Sequence, residues 1–318
     1  MAGPRARLEL SDAGVRFRRG EFERCRTMAR SALQLAREAG DTEAEALALD
    51  RIHVSTVYLR EPDADRSGDR AVELFGQLGE LASKARVLNN QGIEAYFAGN
   101  WTSASDYYQA SMRDGIAAGN VVEASLAALN SGEILSDQGR WDQALVLLGD
   151  ALRNWQAAGY LTGIAAANLF IGTTHLRACE HDQARASLTR AVAQLDELGL
   201  EELTKDARSR MLELDVLDRR ADVGDAQAFL DDVGDAHPLT QRGRRLLGLA
   251  HLVAGDQERA TEILRSAATD ETAFENVLVH QLLTMAAPDH PDQARWVDLI
   301  VDTQAQLDLA ALPCIDLG

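Results

Sequence analysis

The chain has little of several residue types on which other protein classes depend. Of its 318 residues only three are cysteine and six are proline, and aromatic side chains make up 5%. Basic residues are outnumbered, with 32 Lys and Arg against 50 Asp and Glu, so the formal net charge is −18. Because nucleic acids and anionic membranes bind basic surfaces, this charge argues against both as nonspecific partners.

Long apolar runs are also missing. No segment approaches the roughly eighteen apolar residues of a membrane-spanning helix, and the N-terminus leads into a charged segment instead of an apolar signal region. Cys25, Cys179 and Cys314 are odd in number and far apart in sequence. This pattern predicts no disulfide framework and indicates a reducing, cytoplasmic compartment.

Motifs of catalysis and cofactor binding are absent as well. The sequence has no Gly-x-Ser-x-Gly, His-Glu-x-x-His, Gly-x4-Gly-Lys-Ser/Thr or Cys-x2-Cys. The nearest approach to a metal site is His175, Cys179 and His181, which lack a fourth ligand and fall at packing and turn positions of a repeat. We therefore expect no enzyme activity, no metal and no cofactor. An enzyme with His175 or His181 as its base is the least favoured alternative.

What the chain does have is a unit of forty residues that recurs between residues 85 and 199. Each unit has small and apolar residues at helical spacing in two segments, so it predicts a hairpin of two helices. A glycine inside a helix costs about 1 kcal/mol relative to alanine, and its recurrence indicates close packing of the second helix on the first. The matched positions are Gly92, Gly132 and Gly172, then Ala104, Ala144 and Ala184, and finally Gly119, Gly159 and Gly199.

These residues resemble the tetratricopeptide repeat, which carries Leu-Gly in its first helix and Ala-x3-Phe in its second. The second halves read Ala104-x3-Tyr108, Ala144-x3-Leu148 and Ala184-x3-Leu188. The first-helix Trp and the closing Pro of the family are absent, and the unit exceeds the family's length of about 34 residues. We place the extra residues between hairpins, for example from Asp114 to Val121. The longer unit is similar to the repeats of kinesin light chains and to the C-terminal sensor arrays of bacterial nucleotide cyclases, transcriptional activators and STAND-type ATPases.

Weaker copies of the unit extend the pattern in both directions. We predict an all-α, right-handed α-solenoid of about eight hairpins that forms a single domain over residues 1–318. The segment 305–318 is expected to cap the apolar face of the last hairpin. The predicted hairpins are residues 6–38, 46–78, 85–117, 125–157, 165–197, 205–236, 241–270 and 274–304.

The resemblance implies a scaffold that binds an extended peptide or protein segment along the groove formed by its first helices. Asn90 and Asn130 share one register and are expected to form an amide ladder for a ligand backbone, since an amide both donates and accepts. A merely solvated face is the alternative. Of the adjacent rings, Tyr96 should pack and Phe97 should be reachable. The groove residues that the resemblance indicates are Arg51, Arg86, Asn89, Asn90, Ile93, Phe97, Asn130, Glu133, Asp137, Thr173, Arg177 and Arg210.

The groove arginines, with Arg242 and Arg245, predict a surface more basic than the rest of the chain and suited to an acidic peptide. Asp50, Glu133 and Asp137 interrupt it. An alternative function is that of a sensor or regulatory segment in a larger bacterial signalling or transcriptional regulatory protein, because the repeats begin abruptly at Ala6. Homo-oligomerisation through the end hairpins is a further alternative.

Overall fold

Most of the described chain, 81%, is helical. The computed structural model describes residues 2–61, 66–235, 237–269 and 274–317, and these ranges contain helices, turns and coil but no strand. The protein divides into two compact units, Met1–Ser131 (unit 1) and Gly132–Gly318 (unit 2). The boundary lies within a single helix.

Sixteen helices follow one another in the described residues, and consecutive helices pair into hairpins joined by short turns. This is the all-α repeat solenoid that the sequence predicts. None of the described helices is both long and apolar enough to cross a membrane. The helices are α1 (Ala2–Arg18), α2 (Phe22–Ala39), α3 (Thr42–Tyr58), α4 (Ser67–Leu78), α5 (Leu81–Phe97), α6 (Trp101–Ala117), α7 (Val121–Asp137), α8 (Trp141–Ala158), α9 (Leu161–Arg177), α10 (His181–Glu197), α11 (Glu201–Leu217), α12 (Val223–Val233), α13 (Thr240–Val253), α14 (Gln257–Ala267), α15 (Phe274–Ala286) and α16 (Gln293–Leu307).

The hairpin of α5 and α6 shows how the local sequence forms the repeat. After α5 the chain turns at Gly99, whose φ of +73° favours a residue without a Cβ. Asn100 then caps α6 by accepting a hydrogen bond from the backbone N–H of Ser103 at 3.2 Å. A Cβ built on Gly92 would lie 2.3 Å from Cε1 of Tyr108, so the glycine lets the second helix approach the first.

Unit 1 packs its first hairpins through very small side chains. Ala6, Ala32, Ala36, Ala44 and Ala48 are all fully buried between α1, α2 and α3. Alanine brings helix axes close together without loss of side-chain entropy. The low aromatic content of the chain is therefore consistent with a well-packed interior.

Unit 2 repeats the glycine contact with larger neighbours. A Cβ on Gly132 would lie 2.7 Å from Leu148, and one on Gly172 would lie 2.7 Å from Leu188, and both leucines are fully buried. The prediction that these glycines face an adjacent helix is confirmed. Trp155 is also fully buried and lies against Gly163.

The extra length of the unit extends the helices and does not lie between hairpins, so that expectation is wrong. α6 continues past Asp114 as far as Ala117, and α7 begins after a short link. Asp114 forms a salt bridge with Lys84, with Nζ 2.9 Å from Oδ2. A Cβ on Gly115 would lie 3.0 Å from the backbone nitrogen of Ala124. These contacts stabilise the last turn of the helix.

Candidate functional site

In unit 1 the first helices α3 and α5 and the beginning of α7 bring polar residues together. The carboxylate of Asp50 is fully buried. Nη2 of Arg86 donates to its Oδ2 at 2.9 Å, and Nη1 of Arg51 lies 3.7 Å from the same oxygen. The two arginines that the sequence assigns to a ligand thus neutralise a carboxylate of the protein itself.

Burial and charge alter the acidity of this group of residues. The Asp50 carboxylate raises the pKa of Arg86, against the effect of burial. Burial raises the pKa of Glu123 on α7, with Arg86 opposing the shift and Asp50 adding to it. Arg86 therefore holds its charge firmly, and Glu123 accepts a proton more readily than an exposed glutamate.

The amide ladder expected from Asn90 and Asn130 is wrong. Asn90 is only 8% exposed. The Nδ2 of Asn130 donates to Oδ1 of Asn89 at 2.8 Å, so it bonds to the residue next to the expected one. Adjacent helix positions point in directions about 100° apart, and Asn89 is the one that meets Asn130 of α7. The amides join two helices and do not form an open ladder.

The aromatic residues behave as the sequence predicts. Tyr96 stacks on Trp101 with ring centroids 5.4 Å apart, whereas Phe97 is 55% exposed. The guanidinium carbon of Arg60 lies 4.6 Å from the centroid of the Phe97 ring, which is the geometry of a cation–π contact. Ile93, one helical turn before Phe97, is half-buried. We call these residues the first-helix surface of unit 1; it consists of Arg60 in the turn after α3 and of the first-helix residues Arg51, Arg86, Ile93, Phe97 and Asn130.

In unit 2 the matched positions hold a dense group of charges. Arg177 binds Asp137 of the preceding hairpin and donates to Oγ of Ser136 at 2.9 Å. Arg245 donates to Glu213 at 2.7 and 2.9 Å. We define the buried charge cluster as a set of buried and half-buried residues, namely Glu133, Asp137, Arg177, Asp206, Arg210, Glu213, Arg242, Arg245 and Glu275.

Two members of the buried charge cluster lie far from their usual acidity. Burial raises the pKa of Glu133 to about 8, with Asp137 adding to the shift and Arg177 opposing it. Burial lowers the pKa of Arg210 to about 10. Glu133 therefore holds a proton at neutral pH. The charges of the four arginines of the cluster then equal in number those of its four ionised carboxylates.

Arg245, Glu213 and Glu275 form the most strongly paired part of the cluster. Burial alone would raise the pKa of Glu275, but the charge of Arg245 overcomes this effect and lowers it to about 2. Arg245 is only 1% exposed, and the carboxylates of Glu213 and Glu275 raise its pKa in spite of burial. These residues remain ionised across the whole physiological range.

The basic groove that the sequence predicts is therefore not present. Arg51, Arg86, Arg177, Arg242 and Arg245 each pair with a carboxylate of the same unit. Arg210 has weaker ion pairs, at 3.9 Å from Asp206 and 3.8 Å from Glu213. Thr173 donates its hydroxyl to its own helix at Leu169.

Sequence reasoning missed the acidic partners Asp206 and Glu275. The sequence does contain a pattern that predicts these ion pairs, because opposite charges recur about one repeat apart on successive first helices. Asp50 and Arg86 form one such pair, and Asp206 and Arg242 form another. Successive first helices pack side by side, so charges at this spacing meet.

The cysteine prediction is also wrong, because Cys179 and Cys314 form a disulfide with their Cα atoms 5.6 Å apart. The argument from cysteine usage for a reducing compartment falls with it. Cys179 is unavailable to a metal, His175 pairs with Glu180, and His181 pairs with Asp218. Among the described residues, no three His, Cys, Asp or Glu side chains are arranged to hold a metal ion.

The segment after α16, residues 309–317 (the C-terminal tail), does not simply cover the last hairpin as expected. It crosses the turns between the helices of the earlier hairpins of unit 2, where Ala310 donates to the carbonyl of Gln138 at 2.7 Å and Cys314 to that of Arg177 at 2.9 Å. Beneath it lies a cavity of about 20 Å³, close to the space of one water molecule. The cavity is lined in part by Arg177, Arg210, Glu213, Arg245, Pro313 and Ile315.

Comparisons with known proteins agree with this architecture. A family model described as "Tetratricopeptide repeat" matches residues 123–197. A search of curated proteins found no significant match. Among solved structures, the chain is similar to a Signal Transduction ATPase with Numerous Domains (STAND) protein with a tetratricopeptide repeat sensor from Pyrococcus horikoshii, with a TM-score of 0.57 and 14% identity.

That similarity covers 93% of this chain and 44% of the STAND protein, so this chain spans less than half of its relative's length. At 14% identity the likeness speaks for the fold alone. The family match adds the repeat type, and the glycine contacts within the hairpins explain it physically. The chain is a repeat protein of the tetratricopeptide type.

Proposed function

We propose that the protein is a non-catalytic scaffold whose first-helix surface of unit 1 binds an extended peptide or partner segment. Repeats of this type generally mediate protein interaction. The observation that carries the proposal is the exposed ring of Phe97, which lies beside the cation of Arg60 on a surface where Arg51, Arg86 and Asn130 are only partly buried.

The chemistry of this surface favours a particular kind of ligand. An exposed aromatic ring next to a guanidinium can accept an apolar side chain and an adjacent carboxylate at the same time. Because Asp50 pairs with both Arg51 and Arg86, part of the positive charge of the surface is already compensated. We therefore expect an apolar residue in the ligand to contribute most of the affinity, and one acidic residue to set its position.

The test is selection of linear peptides from a phage-displayed library on the whole chain, followed by affinity measurement with labelled peptides. Phe97→Ala should weaken the selected peptides at least about tenfold, because aromatic anchors dominate such interfaces. Ile116→Ala is the matched control, since Ile116 is 71% exposed on the second helix α6 of the same unit. The Ile116→Ala variant should bind the selected peptides with the same affinity as the wild type. Peptides that bind equally well to Phe97→Ala would contradict the proposal.

A second candidate function is that of a regulatory segment in a larger signalling protein. The observation that favours it is the similarity to a STAND protein with a tetratricopeptide repeat sensor, of which this chain spans only 44%. An antibody raised against the chain should then detect a native protein much heavier than 34.6 kDa in extracts of its source. A native band at the mass of the chain itself would refute this candidate.

A further inference from the structure

The C-terminal tail meets three successive turns of unit 2 at every third residue. The backbone of Ala311 lies against Gly139, Cys314 is bonded to Cys179, and the carbonyl of Leu317 accepts from Nη2 of Arg219 at 2.9 Å. The three turns occupy equivalent places between the first and second helices of their hairpins. The tail thus follows the repeat of the solenoid.

The spacing of these contacts matches the geometry of an extended chain. A polyproline-type segment has three residues per turn and rises about 3.1 Å per residue, so it advances about 9 Å for every three residues. Packed helices lie about 8–10 Å apart. An extended segment can therefore present the same face to each turn in succession, and the backbone bonds of Ala310 and Cys314 to turn carbonyls fix it there.

The residue at each turn suits contact with the tail. A Cβ on Gly139 would lie 2.5 Å from the carbonyl oxygen of Ala311, so only glycine leaves room for the tail backbone. The equivalent Gly255, in the next hairpin beyond the tail, has nothing within 4 Å. The close approach is thus particular to the turn that the tail crosses.

Cys179 occupies a backbone conformation that disfavours it. Its φ is +57°, in the left-handed region, where the equivalent Gly99 and Gly139 have +73° and +75°. A side chain in this region costs free energy that glycine would not. The equivalent Arg219 has a φ of +59°, so the left-handed conformation is a property of these turns. Here the observed function of the side chain is its bond to Cys314, which is exposed to solvent and thus reachable by a reductant.

We propose that the turns at Gly139, Cys179 and Arg219 form a peptide-binding track, that the C-terminal tail is its built-in occupant, and that a dithiol reductant releases the tail. One thiolate of the dithiol attacks a sulfur of the Cys179–Cys314 bond and displaces the other cysteine as a thiolate. The second thiol then resolves the mixed disulfide, leaving two protein thiols and an oxidised dithiol. The open track binds an extended partner segment with a small residue opposite Gly139 and apolar residues in place of Pro313 and Ile315.

Release of the tail has a second effect within the same unit. Pro313, Cys314 and Ile315 line the cavity next to Arg177, Arg210 and Arg245. Once the tail leaves, this side of the buried charge cluster becomes accessible to a ligand. The proposal concerns unit 2 only, so it stands or falls independently of the first-helix surface of unit 1.

The first experiment measures amide hydrogen exchange of the full chain before and after reduction with dithiothreitol. The amides of Ala310, Ala311 and Cys314 should exchange at least about tenfold faster in the reduced protein. Cys179→Gly should show the same fast exchange without reductant, and because it also relieves the left-handed strain it should not unfold the hairpin. Cys25→Ala, which leaves the disulfide intact, should match the oxidised wild type.

The second experiment adds a fluorescein-labelled peptide with the sequence of residues 308–317 that carries Cys314→Ser. It should bind reduced protein at least about tenfold more tightly than oxidised protein, because a covalently held tail competes at high effective concentration. Gly139→Ala should abolish this binding, whereas Gly255→Ala, with equal backbone strain and no tail contact, should preserve it. A peptide of the same composition in scrambled order should not bind.

Any one of three results would overturn the proposal. The first is that Cys179 and Cys314 react as free thiols before any reductant is added. The second is that the tail amides stay protected both after reduction and in Cys179→Gly, and the third is that the labelled peptide binds oxidised and reduced protein equally.

Discussion

Gly172→Ala and Gly149→Ala are the same chemical change, but we expect them to shift the free energy of unfolding in opposite directions. Both glycines lie inside helices of unit 2, Gly172 in α9 and Gly149 in α8. A Cβ on Gly149 would have as its nearest neighbour the flexible end of Arg153, at 3.4 Å. A Cβ on Gly172 would lie 2.7 Å from Cγ and 3.0 Å from the backbone nitrogen of Leu188, which is fully buried.

The magnitudes follow from two opposing contributions. Replacing a helical glycine by alanine stabilises the helix by about 1 kcal/mol. Forcing a methyl group into a close-packed contact costs about 1–3 kcal/mol, toward the upper end when the backbone must move. We expect Gly149→Ala to raise the free energy of unfolding by about 1 kcal/mol and Gly172→Ala to lower it by about 1–2 kcal/mol, a difference of about 2–3 kcal/mol.

Urea denaturation followed by circular dichroism measures this difference. With a dependence of about 2–3 kcal/mol per molar urea, the two midpoints should differ by about 1 M. Leu188→Ala, made alone and together with Gly172→Ala, supplies a double-mutant cycle. The combined loss should be smaller than the sum, because the new methyl group fills part of the space that Leu188 vacates.

The reasoning would be refuted if Gly172→Ala raised the midpoint as Gly149→Ala does. Such a result would mean that the first and second helices of the hairpin do not approach as closely as Gly172 implies. Additive losses in the double-mutant cycle would show the same for the contact with Leu188.

Further predictions concern charge and core packing. Arg86→Met should lower the free energy of unfolding by about 3 kcal/mol by leaving the buried Asp50 carboxylate poorly compensated, and adding Asp50→Asn should recover most of the loss in urea titrations. Because Glu133 has a folded pKa of about 8 and a reference value of 4.5, the folded state binds the proton more tightly and stability should fall as the pH rises from about 4.5 to 8. Glu133→Gln should remove this fall, so urea midpoints of variant and wild type should diverge at pH 8 and agree at pH 4.5. Trp155→Ala should lower the free energy of unfolding by about 3–5 kcal/mol, because the indole is fully buried. Thermal denaturation measures this change, and an unchanged midpoint would contradict the prediction.

The sequence predicts best those features that depend on contacts within one hairpin. Gly92 and Tyr108 lie on consecutive helices joined by a short turn, so the spacing of small and large residues is enough to pair them. The separation of Tyr96, which packs, from Phe97, which is exposed, follows from the angle between adjacent helix positions. These predictions are confirmed because local geometry alone determines them.

Features that depend on the rotation between hairpins are predicted less well. Sequence reasoning left Arg86 and Arg177 available to a ligand, whereas each reaches a carboxylate on the preceding first helix. Asn130 bonds to Asn89 and not to Asn90 for the same reason. A register of forty residues matches positions along the chain, but it does not give the angle at which one helix meets the next.

The disulfide required information of still longer range. Cys179 and Cys314 are separated by 135 positions, and they meet because the tail returns across hairpins that precede it in sequence. That return brings together parts of unit 2 that are distant in sequence, and the pattern within one repeat does not specify it.

The glycine that closes most hairpins has a practical consequence for protein engineering. Gly40, Gly79 and Gly119 in unit 1, and Gly159 and Gly199 in unit 2, all have φ between +64° and +74°, and none has a neighbour within 4 Å of the place a Cβ would occupy. A block cut between two such glycines has interchangeable ends with free space around them. These glycines are therefore the points at which we expect a hairpin to be duplicated or exchanged with the least disturbance of the local backbone.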